Sequence, residues 1–136
     1  KGCIINHMSE SKLDFYINIF ESLEDSDIYD VVLETGANVE TNVDRATANF
    51  VHGCQSQVWV IGEDTPLGWN FSMDSDSYMV KGLGNIVCEC LSEMTSNELE
   101  QVTMGDFSSF SVFFSTQRRQ GMQAIINKCK QISKGN

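Results

Sequence analysis

The chain has 136 residues, a mass of 15.2 kDa and a formal net charge of −10; that length suits one domain and buries roughly 68% of the unfolded surface, enough for a core without metal or disulfide staples. Apolar residues at 41%, charged residues at 21%, a single proline and no low-complexity stretch exclude a disordered or linker-rich chain, and no apolar run nears the ~20 residues of a membrane span. Nineteen acidic groups against nine basic ones argue against a nucleic-acid binder, which needs clustered Lys and Arg facing the phosphates.

Leu13, Tyr16, Ile17, Phe20 and Leu23 recur at three- and four-residue steps and predict a first amphipathic helix, entered through Ser9 or Ser11. Residues 1–8 read as a poorly ordered lead-in. Ile28, Val31 and Val32 predict a second, short helix stopped by Gly36, and the polar residues 37–53 read as a long loop, a length that tends to be functional. The period then switches to two. Val58–Ile61 and Trp69, Phe71 and Met73 flank a turn over Glu63–Gly68, which predicts an antiparallel hairpin with one buried face. Asp74-Ser75-Asp76-Ser77 offers N-caps for a long helix outlined by Val80, Leu83, Val87, Cys90, Leu91 and Met94. Thr95, Ser96 and Glu98 open a further short helix, Phe107–Phe114 is aromatic with no clear period, and Met122, Ile125, Ile126, Cys129 and Ile132 predict a closing helix. The order predicts a single α+β domain over 1–136, a small antiparallel sheet packed against several helices.

Chemistry-bearing residues are few. Only His7 and His52 are present, so a site of several imidazoles is impossible. Lys81-Gly82-Leu83-Gly84 lacks the spacing of a phosphate loop, and Asp74 and Asp76 lack the Gly and Glu of a calcium loop, so capping is their simpler role. Asn70-Phe71-Ser72 has the form of a glycosylation acceptor and reads as chance. Cysteines 3, 54, 88, 90 and 129 are an odd set without framework spacing, which favours reduced thiols. Cys88 and Cys90 sit about 200° apart on a helix and cannot share one ion from one face; Cys90 and Cys129 fall on apolar stripes as core thiols. Cys54 stands apart, where the long loop meets the first strand, between Gly53 and the polar run Gln55-Ser56-Gln57. Position alone leaves it as either a reactive thiol or a small residue filling space at a strand start.

Gly53-Cys54-Gln55-Ser56-Gln57-Val58-Trp59 resembles the signature of the SufE family, the sulfur-accepting partners of cysteine desulfurases in iron–sulfur cluster assembly. Asn49, five residues before the cysteine, Asp74-Ser75-Asp76 with Val80-Lys81-Gly82-Leu83, and Arg118 with Gln120-Gly121-Met122 follow the same pattern in order, so the likeness runs from about Ile28 to Ile132. His52 stands where the family often has glutamine, and Thr116 where it has proline, two residues before the arginine.

The resemblance implies a SufE/IscU-like fold and a persulfide-forming thiol at Cys54, stimulated transfer from a SufS-like, PLP-dependent cysteine desulfurase, and delivery to a SufBCD-type scaffold. PLP would belong to the partner; no cofactor or metal is expected here. Gly53, His52, Gln55, Ser56, Gln57, Asp74, Lys81 and Arg118 are the implied supporting or docking residues, on a monomer or homodimer. Such exchange needs a thiolate and a leaving thiolate, with no oxyanion hole and no general-base histidine. The acidic surroundings predict a sluggish Cys54, turned inward and activated on docking, with Arg118 as a compensating charge if it lies near. The alternatives are an IscU-type scaffold binding iron–sulfur or zinc, which needs about three converging ligands, and a cysteine hydrolase pairing Cys54 with His52 or His7. The expected setting is intracellular, in bacterial cytoplasm or the stroma of a plastid-type organelle; the start at Lys1 fits a trimmed or processed chain.

Overall fold

The helix α3 (Tyr78–Leu91) is apolar on nearly every side, with eight of its fourteen residues buried, and a helix of that kind needs neighbours all round. A computed structural model describes residues 11–113 and 115–135 and supplies those neighbours. The expected lead-in 1–8, with Cys3 and His7, lies outside the described residues, as do Ser9 and Phe114. Helices α1 (Lys12–Ser22) and α2 (Asp25–Asn38) and the hairpin strand β2 (Gly68–Ser75) pack on α3. Strand β1 (Val58–Thr65) pairs antiparallel with β2 from Val58 opposite Ser75 to Thr65 opposite Gly68, and its other neighbour is α5 (Thr116–Ser133). The short helix α4 (Ser96–Gln101) also leans on α5, and a 3-10 run, Met104–Phe113, joins the two. The arrangement is α+β, with a two-stranded antiparallel sheet among the described residues. No described helix is long and apolar enough to cross a membrane.

Helix starts follow their caps. The Ser11 hydroxyl accepts from the Asp14 N–H at 3.0 Å, and Ser77 and Ser115 do the same for Val80 and Arg118 at 3.3 Å each. Thr95 and Glu98 form a reciprocal capping box at the start of α4. The hairpin turn is tighter than the sequence suggests: both strands run on until only Pro66 and Leu67 remain between them. Met94 lies beyond α3, where its carbonyl accepts from the Trp69 N–H at 2.9 Å and ties the helix exit to β2. The aromatic stretch owes its unclear period to its 3-10 geometry, kinked at Phe107; Phe107 and Phe110 are buried, and Phe110 stacks edge-on against Phe20 at 4.8 Å.

The second helix differs from its expected form. It is not short and Gly36 does not stop it; the helix runs fourteen residues, through Gly36 to Asn38. The reason is packing. A Cβ on Gly36 would collide with the Tyr78 carbonyl oxygen, and one on Gly82 with the Val32 carbonyl oxygen, so α2 and α3 cross backbone against backbone with both glycines at the crossing. The polar segment that follows begins at Val39 and holds a 3-10 turn, Thr47–Asn49, held by the Asn49 side-chain amide donating to the Asp44 carbonyl at 2.9 Å.

Among the described residues three cysteines lie in the core, Cys88, Cys90 and Cys129. Burial foremost, with the Glu89 and Cys88 charges, pushes the Cys90 thiol up to about 12. A hydrogen bond with Cys88, then burial, holds Cys129 well above the ordinary thiol range.

Two outcomes are expected. Gly82→Ala forces apart two backbones with no side chain to yield, and should cost about 3 kcal/mol in chemical denaturation, whereas Gly105→Ala, which meets only the Thr103 hydroxyl at 3.3 Å, should stay within about 1 kcal/mol. The second concerns alkali. Unfolded thiols ionise near 9.0 while the folded chain keeps Cys90 protonated to about 12. Above pH 9 the unfolded state therefore binds fewer protons, and stability falls as pH rises from about 9 toward about 12. Melting curves under reductant should be flat through this cause below about pH 9 and decline above it.

Candidate functional site

Cys54 rides on a loop with a closed neck. Phe50 bridges Trp59, and the Val51 N–H donates to the Val58 carbonyl at 2.8 Å, so residues 52–57 leave and re-enter the sheet at one place. Gln57 fixes the base a second time: its N–H donates to the Asp76 carboxylate at 3.1 Å, and the Asp76 N–H returns to the Gln57 carbonyl at 3.3 Å. The chain turns at Gly53 with φ +98°, and a Cβ there would meet only Ala124 Cβ at 3.5 Å, so conformation and not crowding calls for glycine.

The thiol is partly buried, and Cys54 Sγ donates to the Gly121 carbonyl at 3.6 Å, tucked against α5. A cavity of about 200 Å³ opens beside it, walled by Gln55 and Ser56 of the loop, the cap Ser77 and Val80 of α3, and the cap Ser115 and Arg118 of α5. Both helix caps stand at this wall, which brings two positive helix ends to the site. Burial nonetheless raises the thiol above its ordinary value. That direction favours the protonated thiol at rest.

The structure brings some of the expected residues together and separates others. Gln55, Ser56 and Arg118 share the cavity with Cys54, and Gln57 holds the loop base. His52 does not share it. Because the chain turns at Gly53, His52 faces a different groove, edge-on to Phe50 at 4.9 Å, so the extended geometry that would align residues 52 and 54 does not occur. Asp74 and Lys81 form a separate ion cluster: Asp74 accepts from Arg45 Nε at 3.0 Å and lies 3.6 Å from Lys81 Nζ, with its side chain only 14% exposed. Arg45 also stacks on Trp59, 4.5 Å from the ring centroid, which pins the polar segment after α2 across the hairpin. Arg45 and Gly121 carry roles that sequence reading missed. Gly121 offers only a backbone oxygen, which no residue-type argument singles out; Arg45 was visible as the one positive charge in an acidic, polar stretch. Among the described residues no group of three or more His, Cys, Asp or Glu is placed to hold a metal ion.

Comparison with known proteins agrees with this architecture. The SufE family model, an Fe-S metabolism associated domain, matches residues 15–133. An uncharacterized SufE-like protein of Rhizobium meliloti (strain 1021) is 32% identical, with 92% of this chain and 96% of that protein covered. Another from Rhizobium etli is 29% identical, at 91% and 90%. Among solved structures, a hypothetical protein from Thermus thermophilus shares the fold, with a TM-score of 0.73 at 20% identity over 91% of this chain and 94% of that one. The chain belongs to the SufE family, and with it to the proteins of Fe–S metabolism.

Proposed function

We propose that the chain is a covalent sulfur carrier with Cys54 as its persulfide-forming thiol. The observation that carries this reading is placement: of the described cysteines, Cys54 alone is outside the buried core, on a loop beside an open cavity. The donor is the persulfide of a PLP-dependent, SufS-like cysteine desulfurase. The Cys54 thiolate attacks the outer sulfur of the donor's Cys–S–SH, a new S–S bond forms on Cys54, the donor's S–S bond breaks, and the donor's thiolate leaves and takes up the proton lost by Cys54. No electron is gained or lost overall. A thiol of a SufBCD-type scaffold then repeats the attack on the Cys54 persulfide. PLP stays with the donor, and this chain needs no group of its own.

Burial sets the timing. A neutral thiol bound to the Gly121 carbonyl is a poor nucleophile, because the thiolate is the reacting species. Docking draws the tip, Gly53–Ser56, away from α5 while the neck at Val51–Val58 and Gln57–Asp76 holds. Arg118, at the wall of the same cavity, supplies positive charge to the thiolate as it forms. The carrier is therefore quiet alone and active against its donor, and it stimulates the donor by removing its sulfur.

Incubation with a cysteine desulfurase and cysteine should add about 32 Da to the intact chain, mapped by peptide mass spectrometry to Cys54. Cys54→Ser should abolish both the adduct and the stimulation of cysteine turnover with less than about 1 kcal/mol lost in stability. An adduct on Cys88, Cys90 or Cys129 instead would refute the assignment.

A further inference from the structure

Among the described residues, three cavities border the Cys54 loop, and helix α5 forms a wall of each. Arg118 lines the cavity that holds Cys54, Arg119 the one beside Gly53, and Lys128, Lys130 and Lys134 a groove of about 560 Å³ beside His52. Among the described residues, none of the three has an Asp or Glu in its lining. The contrast with the rest of the chain is sharp. Residues 1–106 carry all nineteen acidic groups against four basic ones, a balance of −15, while residues 107–136 carry five basic groups and no acidic one.

The lysines are already positioned. Lys128 Nζ donates to the Ala48 carbonyl at 2.9 Å, Lys130 Nζ to the Val102 carbonyl at 2.7 Å, and Lys134 Nζ lies 3.0 Å from the Glu100 carboxylate. An ammonium carries three N–H donors, so Lys128 and Lys130, each steadied by one carbonyl, can still serve a second acceptor, while Lys134 keeps free donors beside a Glu100 carboxylate that offsets part of its charge. The five charges do not converge on a point. From Arg118 to Lys134 they form a broad basic strip, about 24 Å along the helix and wrapping it from Lys130 on the Val102 side to Lys128 on the Ala48 side, the size of a protein contact and far beyond one small anion. A polyanion such as RNA would meet the −15 body around the strip.

Resting on the carrier reading above, we infer that this strip along α5, centred on the Lys128–Lys134 groove, is the docking surface for an acidic face of the sulfur-donating desulfurase. The strip borders the loop at His52, Gly53 and Cys54, so a partner seated on it lies against the thiol it must reach. Charge at such a rim acts mainly on encounter. It steers an acidic partner past a body that would otherwise repel it.

The test uses a PLP-dependent cysteine desulfurase from the same source, with cysteine, and follows persulfide on Cys54 as a function of donor concentration. For the wild-type chain, kcat/KM for sulfur uptake should fall several-fold as ionic strength rises from about 0.05 to about 0.5 M. Lys134→Glu should lower it a few-fold and Lys128→Glu/Lys134→Glu about tenfold, with little change at saturating donor. Lys12→Glu, on α1 and away from all three cavities, should leave it unchanged. Since Lys128→Glu also removes the tie to Ala48, melting temperatures are compared, and Lys134→Glu with the salt series decides if the double variant is unfolded. Sulfur uptake that ignores both salt and Lys134→Glu overturns the inference while leaving the carrier reading intact. Phosphate inhibiting more than chloride at equal ionic strength would assign the strip to a small anion and overturn it too. A wild-type chain that takes up no sulfur at any salt would instead remove the carrier reading, and the inference with it.

Discussion

The pairing of Val51 with Val58 closes the neck of the Cys54 loop, and the position of the thiol depends on that closure. A carrier thiol, as proposed for Cys54, has two conflicting needs. Its root has to be fixed so that it returns to the same place, and its tip has to be free of the sheet's hydrogen-bond ladder. The bridge of Phe50 to Trp59 and the double link between Gln57 and Asp76 meet the first need. Gly53, in a backbone conformation that a side chain would strain, meets the second by turning the tip out of the extended path. Behind the neck stands the hairpin, and behind the hairpin the buried helix α3, locked to α2 at the Gly36–Gly82 crossing. Hydrogen bonds and close packing thus accumulate from the tip inward.

Charge follows the same division. The acidic groups are spread over the helices and hairpin that build the scaffold, where Arg45 and Lys81 offset Asp74 beside the hairpin. Five of the nine basic groups gather on α5 and its C-cap, the element that touches the thiol through the Gly121 carbonyl and walls the cavities around it. One helix therefore shelters the resting cysteine and carries the basic charge that the docking proposal assigns to the partner. Contact with that helix would link docking to release physically, since a partner seated on α5 is already at the place where the thiol is held.

Much of this was legible in the sequence because it is local. Ser11, Ser77 and the Thr95–Glu98 box announce their helices by hydrogen bonds that close within one turn. Alternation announces the hairpin, and the seven residues around Cys54 announce the family. What stayed hidden depends on partners distant in the chain. A glycine in a polar stretch reads as a helix stop, yet Gly36 lies inside a helix because Gly82, forty-six residues on, needs the same space. His52 reads as a neighbour of Cys54 only if the chain is extended between them, and the positive φ at Gly53 removes that condition. The tie of Arg45 to Asp74 and Trp59 joins a loop to two strands, and no periodicity encodes it. The acceptor for the thiol is a main-chain oxygen, identical in kind at every residue, so only the folded chain selects Gly121.

The central claim is that the free protein keeps Cys54 neutral and withdrawn against α5. The most direct measurement is the pH dependence of Cys54 alkylation by iodoacetamide in the isolated chain, read at that residue by peptide mass spectrometry. The expected rate lies below that of an unhindered cysteine at neutral pH, and the expected midpoint lies above the ordinary thiol value, since burial raises this group. A midpoint at or below neutrality, with fast labelling, would mean an exposed and already activated thiolate, and would contradict the claim.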